Sequence, residues 1–182
     1  MCYNARMELA LIILRNITIA IVGLYAIFLV IDIIFVVSFR SIMSHHDGDL
    51  FLILTNKKDN LDKLASLINK HNIKVDKKQV DALANFDLKV IEHQDGEEAK
   101  KARELLTSIS EYFMYVARDN DKVTNDPEFE LISGNVEEAE KLYRQHVVLY
   151  NADVLGYNFW ITFFPTRFIY KILKFKAKDI IN

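Results

Sequence analysis

The sequence predicts an all-α protein: an N-terminal transmembrane helix followed by an antiparallel helical bundle with long helices. Three observations carry that expectation. The run Ile17–Phe39 is apolar apart from a single charge, Asp32. Only 5 glycines and 2 prolines interrupt 182 residues, which favours long helices and short turns over strands. Beyond the apolar run, nonpolar residues recur at steps of three and four, the helical period.

Residues 1–16 form an N-terminal flank and residues 17–39 the expected span. At 1.5 Å per residue such a helix rises roughly 34 Å, enough to cross a ~30 Å hydrocarbon core. Arg15 and Arg40 bracket it, with side chains long enough to reach the headgroups. A cleaved signal peptide would have a shorter apolar core, and Ser38-Phe39-Arg40-Ser41 is a poor cleavage context. A core helix of this length would carry a polar face. Asp32 has two readings: a site near one headgroup region, where the acid costs less, or a pairing or proton-linked role inside the bilayer. Arg6, Arg15 and the α-amine against Glu8 slightly outweigh the other flank, where Arg40, Lys57 and Lys58 face Asp47 and Asp49. The expected topology is thus a cytoplasmic N-terminus with the domain outside. Cys2 is the only cysteine, so no disulfide forms within the domain, and no lipobox-like run precedes it.

Residues 40–49 form a stalk or hinge in which His45-His46-Asp47-Gly48-Asp49 is either a break or a weak point in one continuing helix. Residues 50–165 form the bundle. Leu50–Leu54 is apolar all round, and Leu61, Leu64, Leu67 and Ile68 follow at helical spacing until Asn72, a plausible C-cap. Asp76 is an N-cap for a helix through Val80, Leu83, Ala84, Val90 and Ile91, broken at Gln94-Asp95-Gly96. Glu97 and Glu98 open the next helix, whose seam is Ala102, Leu105/Leu106, Ile109, Phe113 and Val116. Asp119–Asp126 is a polar turn, and Asp126-Pro127 starts the last long helix. Its seam of coiled-coil type runs through Phe129, Ile132, Val136, Ala139, Tyr143, His146, Tyr150, Val154, Tyr157, Ile161 and Phe164, until Pro165 stops it. Residues 166–182 are expected to form a basic amphipathic C-terminal helix.

In this last helix Tyr150-Asn151, Val154, Tyr157-Asn158, Ile161 and Phe164-Pro165 stand in the order YN-x-x-V-x-x-YN-x-x-I-x-x-FP. That pattern resembles the signature of the LemA family, with Phe129 and Glu140 as further landmarks in register and the match best over Phe129–Phe175. The chain departs from the family pattern at Val147, where an arginine is usual. Lys57-Lys58-Asp59-Asn60-Leu61 retains the basic pair and leucine of the family's first-helix motif without its proline. The resemblance implies a bacterial single-pass membrane protein with a helical domain, usually on the non-cytoplasmic side, and no known enzymatic activity. It also implies a part in membrane organisation, or company with membrane proteases.

The two Tyr-Asn pairs are seven residues apart and so share one helix face. They are expected either to pin the register of the bundle through buried hydroxyls and amides, or to line a polar partner groove. The C-terminal stretch is the better candidate for an interaction. Phe159, Trp160, Phe163, Phe164, Phe168 and Tyr170 are followed by Lys171, Lys174, Lys176 and Lys178 among Ile172, Leu173 and Phe175. That composition suits the headgroup region of an anionic membrane; alternatively Phe168, Ile172 and Phe175 pack onto the bundle and leave the lysines solvated.

No catalytic residue, cofactor or metal ligand is assigned. His45-His46-Asp47-x-Asp49 lacks a distant third ligand, and His71, His93 and His146 share no ligand spacing. Asp119-x-Asp121 with Glu130 mimics an EF-hand, but Val123 and Thr124 stand where a ligand and a glycine belong. No phosphate loop or nucleophile motif occurs. A net charge of −2 gives no basic excess for nucleic acid. The expected function is a non-enzymatic membrane-anchored scaffold whose partners are the lipid bilayer, further copies of the chain, or an envelope or membrane protein. Behind it stands a membrane-tethered adaptor or regulator of a membrane enzyme such as a protease, and behind that a metal-dependent hydrolase using the histidines.

Overall fold

The computed structural model describes residues 2–92 and 96–181. All regular structure is helical, with no strand among the described residues. The elements are α1 (Cys2–Lys70), α2 (Lys77–Ala84), a 3-10 turn (Leu88–Ile91), α3 (Glu97–Arg118), α4 (Asp121–Thr124), α5 (Pro127–Thr162) and α6 (Arg167–Ile172). His93 and the break expected at Gln94-Asp95 lie outside the described residues, as do the side chains of Cys2 and Arg6. Contacts divide the chain into two compact units. The first holds the chain as far as Arg40 with Gly156–Ala177; the second holds Ser41–Leu155 with the residues from Lys178 on. The last turns of the expected bundle helix and most of the C-terminal segment therefore group with the apolar N-terminal helix.

In the first unit, α1 exposes apolar side chains on most of its surface, whereas Asp32 and Val36 are buried. One helix, Ala10–Lys70 within α1, is long and apolar enough to cross a membrane. Phe35 stacks on Trp160 with ring centroids 5.0 Å apart, and Phe28 meets Phe163 at 6.3 Å. A Cβ on Gly156 would fall 2.7 Å from the Phe39 ring, so only glycine lets that ring lie so close to the α5 backbone. α5 ends at Thr162, short of the seam's predicted end. Phe164 is correspondingly exposed instead of continuing the seam.

The C-terminal helix is also shorter than expected: α6 has 6 residues, and Lys174, Lys176 and Lys178 lie beyond it. Lys174 takes a positive φ of 58°, and the Phe175 amide donates to the Tyr170 carbonyl at 2.9 Å. This closure ends the helix and brings the Phe175 ring 5.5 Å from Tyr170, with the Arg40 guanidinium 5.8 Å from its centroid. Tertiary contacts of Phe175 override the basic-apolar alternation that predicted a longer helix.

In the second unit one core gathers Leu61, Leu64 and Ile68 of α1, Leu83 of α2, Ile91 of the 3-10 turn, Ile109 and Phe113 of α3, Val123 of α4, and Ile132 and Val136 of α5. The His45–Asp49 stretch is helical throughout, so α1 is not broken at these polar residues. Leu50 and Leu54 are buried and Leu52 is exposed, giving the apolar start of this segment two different faces. α1 stops where Asn72 adopts φ 55° and the Ile73 amide reaches the Ile68 carbonyl at 3.3 Å. Asp76 caps α2 by accepting from the Lys78 amide at 2.9 Å. The single helix expected from Asp76 to Ile91 is interrupted at Asn85, because Asp87 accepts from the Lys89 amide at 2.9 Å and starts a separate turn.

α3 buries Leu106, Ile109 and Phe113 and leaves Leu105 exposed. The polar turn after it contains α4, capped by Asn120 and anchored by buried Val123. Asp126 caps α5, accepting from the Glu128 amide at 3.0 Å and lying 2.9 Å from His71 Nε2. Those two hydrogen bonds, with Lys70 at 3.1 Å, hold its carboxyl down at about 2.

Candidate functional site

The residues of the two Tyr-Asn pairs and their neighbours on α5 are divided between the two units. In the second unit Tyr150 and Val154 are fully buried. Asn151 makes a reciprocal pair of hydrogen bonds with the backbone of Ile181: its Nδ2 donates to the carbonyl at 2.7 Å, and its Oδ1 accepts from the amide at 2.8 Å. The partner is thus the C-terminal tail, where a neighbouring helix was expected. In the first unit Tyr157 and Ile161 are buried, Asn158 is half-buried, and Phe164 is exposed beside half-buried Pro165. Phe129 packs on the core of the second unit.

Glu140 forms an ion pair with Lys57. Its Oε2 lies 2.5 Å from Lys57 Nζ, and the Lys57 side chain is only 2% exposed. The pair stands at a cleft of about 770 Å³ whose walls include Ser110, Met114, Arg118, Val136 and Arg144. Arg118 and Glu137 form an ion pair on its rim. Glu137 and its neighbour Glu138 are both exposed. Burial pushes the Tyr143 phenol up to about 12, so it is a neutral core group at ordinary pH.

In the first unit the Tyr170 hydroxyl donates to Asp32 Oδ2 at 2.7 Å, and both residues are buried. Of the two readings of Asp32, pairing is therefore the one with a named partner, supplied by a residue 138 positions away. Trp160 is half-buried against Phe35. Of the three residues in the alternative reading, Phe168 and Ile172 are exposed, 53% and 79%, whereas Phe175 is half-buried against Tyr170. Lys171, Lys174 and Lys176 are exposed, while Lys178 Nζ lies 3.9 Å from Asp47 Oδ2 in the second unit.

A fourth cluster joins residues that sequence spacing kept apart. His46 and Asp49 of α1 and His146 of α5 bring ligand-type atoms within 4.8 Å of one another. Asp49 Oδ2 lies 3.8 Å from His46 Nδ1 and 3.8 Å from His146 Nδ1. On its other side His46 presents Nε2 to Asp153 Oδ2 at 3.3 Å. His45, whose side chain is 80% exposed, reaches Asp49 only at 3.9 Å. The distant third donor missing from the sequence pattern is His146. Its place in the α5 seam was the available signal, since a histidine at a core position needs a polar partner on the facing helix. His46 and Asp49 stand three residues apart on the continuous α1, on the side that meets His146 of α5.

No protein-family model, curated protein or solved structure matches this chain.

Proposed function

We propose that the protein is a non-enzymatic scaffold anchored in a membrane by its N-terminal helix, with the C-terminal aromatic and basic segment seated in the headgroup region. One observation carries the reading. Phe164, Phe168, Ile172 and Leu173 are exposed beside exposed Arg167, Lys171, Lys174 and Lys176, in the same unit as the exposed apolar helix. Leaving such surface in water costs about 25 cal/mol per Å², and apolar patches of this kind mark membrane or partner contacts. Aromatics and lysines together match the chemistry of an anionic interface. The Arg167 guanidinium lies 4.9 Å from the Phe168 ring centroid, an arrangement that keeps a cation and an aromatic at one level. The likeness of the α5 motif to LemA proteins supports the same function, a bacterial envelope location and an outward-facing domain.

Trp160, the only tryptophan, reports on this directly. With the full chain reconstituted into bilayers, its fluorescence is expected to be quenched by acyl-brominated lipids and shielded from aqueous acrylamide. Changing Lys171, Lys174 and Lys176 together to Gln should abolish any preference of the quenching depth for anionic lipid. Trp160 open to acrylamide and blind to brominated lipid would overturn the proposal.

A further inference from the structure

We infer that His46, Asp49 and His146 form a binding site for a divalent transition-metal ion of the zinc type, tying α1 to α5 within the second unit. Four features of the cluster lead there. The first is donor chemistry: two imidazoles and one carboxylate suit zinc, cobalt, nickel or copper, whereas calcium and magnesium take all-oxygen sets.

The second is spacing. Two ligands each bound at ~2.1 Å can stand at most about 4.2 Å apart. The 3.8 Å separations from Asp49 Oδ2 to the two Nδ1 atoms fall inside that limit and outside hydrogen-bond reach. The third is satisfaction. His46 Nδ1 and His146 Nδ1 are buried atoms with no hydrogen-bond partner among the described residues, although buried ring nitrogens ordinarily have one.

The fourth is orientation. Asp153 faces His46 Nε2 at 3.3 Å, so in the neutral imidazole the proton belongs on that nitrogen and the Nδ1 lone pair is directed at Asp49. A lone pair aimed at a carboxylate is unfavourable unless a cation lies between them. A carboxylate on the far nitrogen of a ligating histidine is the usual outer support of such sites. The site presents three protein donors, and a water molecule completes a tetrahedral set.

The test uses the full chain in detergent micelles, free of any affinity tag, carrying Cys2→Ser and stripped of metal. Titration with Co²⁺ should give visible d–d bands saturating at one ion per chain, displaced by Zn²⁺ and untouched by excess Mg²⁺ or Ca²⁺. His146→Gln and Asp49→Asn should each weaken binding at least about tenfold. Asp153→Asn should weaken it by roughly 10–100-fold, as loss of an outer partner does. His45→Gln should leave the affinity unaltered. Asp49 is partly exposed, so Asp49→Asn tests the site even if His146→Gln loses helix content by circular dichroism. The inference is overturned if no saturable binding occurs, or if the binding seen survives both His146→Gln and Asp49→Asn.

Discussion

Removing the carboxylate of Glu140 should destabilise the second unit more than removing the amine it holds. The Lys57 side chain is 2% exposed and its Nζ sits 2.5 Å from Glu140 Oε2, whereas the Glu140 side chain is 28% exposed. Breaking a buried ion pair by deleting one partner costs about 3–5 kcal/mol when the survivor stays buried and unpaired. Here the cleft beside the pair gives Lys57 some access to water, so Glu140→Gln is expected to cost about 2–3 kcal/mol. Lys57→Met retains the aliphatic stem and leaves Glu140 half-solvated with Arg144 at 3.9 Å. Its cost should stay below about 1 kcal/mol. The assay is urea unfolding of the full-length protein in micelles, followed by far-ultraviolet ellipticity, for both single variants and the double. The double variant should resemble Lys57→Met, since it strands no charge. Equal costs for the two single variants, or a larger cost for Lys57→Met, would refute the assignment of Lys57 as the buried charge held by Glu140.

Two further predictions concern the ends of α5 and the tail it holds. The Asp126 carboxyl is held below its ordinary 3.8, at about 2, so its contribution to stability is complete above about pH 4 and fades as pH falls toward 2; Asp126→Asn should flatten the acid limb of a pH–melting profile, and an unchanged limb would remove Asp126 from the account. Asn151→Ala should release the Ile181 backbone from its two hydrogen bonds, so amide exchange at Ile181 should accelerate while that of the α5 core stays slow; uniform acceleration along α5 would mean that Asn151 holds the helix itself and not the tail.

Local structure was readable wherever a cap or a period decided it. Asp76 and Asp126 start their helices and Asn72 ends one, because each satisfies backbone groups within a few residues of itself. The α5 core positions Ile132, Val136, Tyr150, Val154, Tyr157 and Ile161 follow from spacing alone. Failures occurred where a distant residue outweighed local preference. The alternation after Phe168 reads as a long amphipathic helix, but the contacts of Phe175 with Tyr170 and Arg40 turn the chain at Lys174. Phe164 continues the period of the seam, yet the helix ends before it. Among the candidate sites, the exposed aromatics and lysines were evident as composition, and the histidine cluster was not, since His46 and His146 are a hundred positions apart.

The sequence by itself determined the all-α class, the long apolar helix and most helix boundaries, because these depend on hydropathy, period and capping within one or two turns. Only the tertiary structure decided which polar groups answer one another: Tyr170 for Asp32, Glu140 for Lys57, Ile181 for Asn151, and His146 for the His46–Asp49 pair. The physical reason is that a buried polar group must find a partner but its own neighbours in sequence do not specify which. For Lys57 with Glu140 and for His46–Asp49 with His146, that choice is made by the register in which α1 and α5 meet.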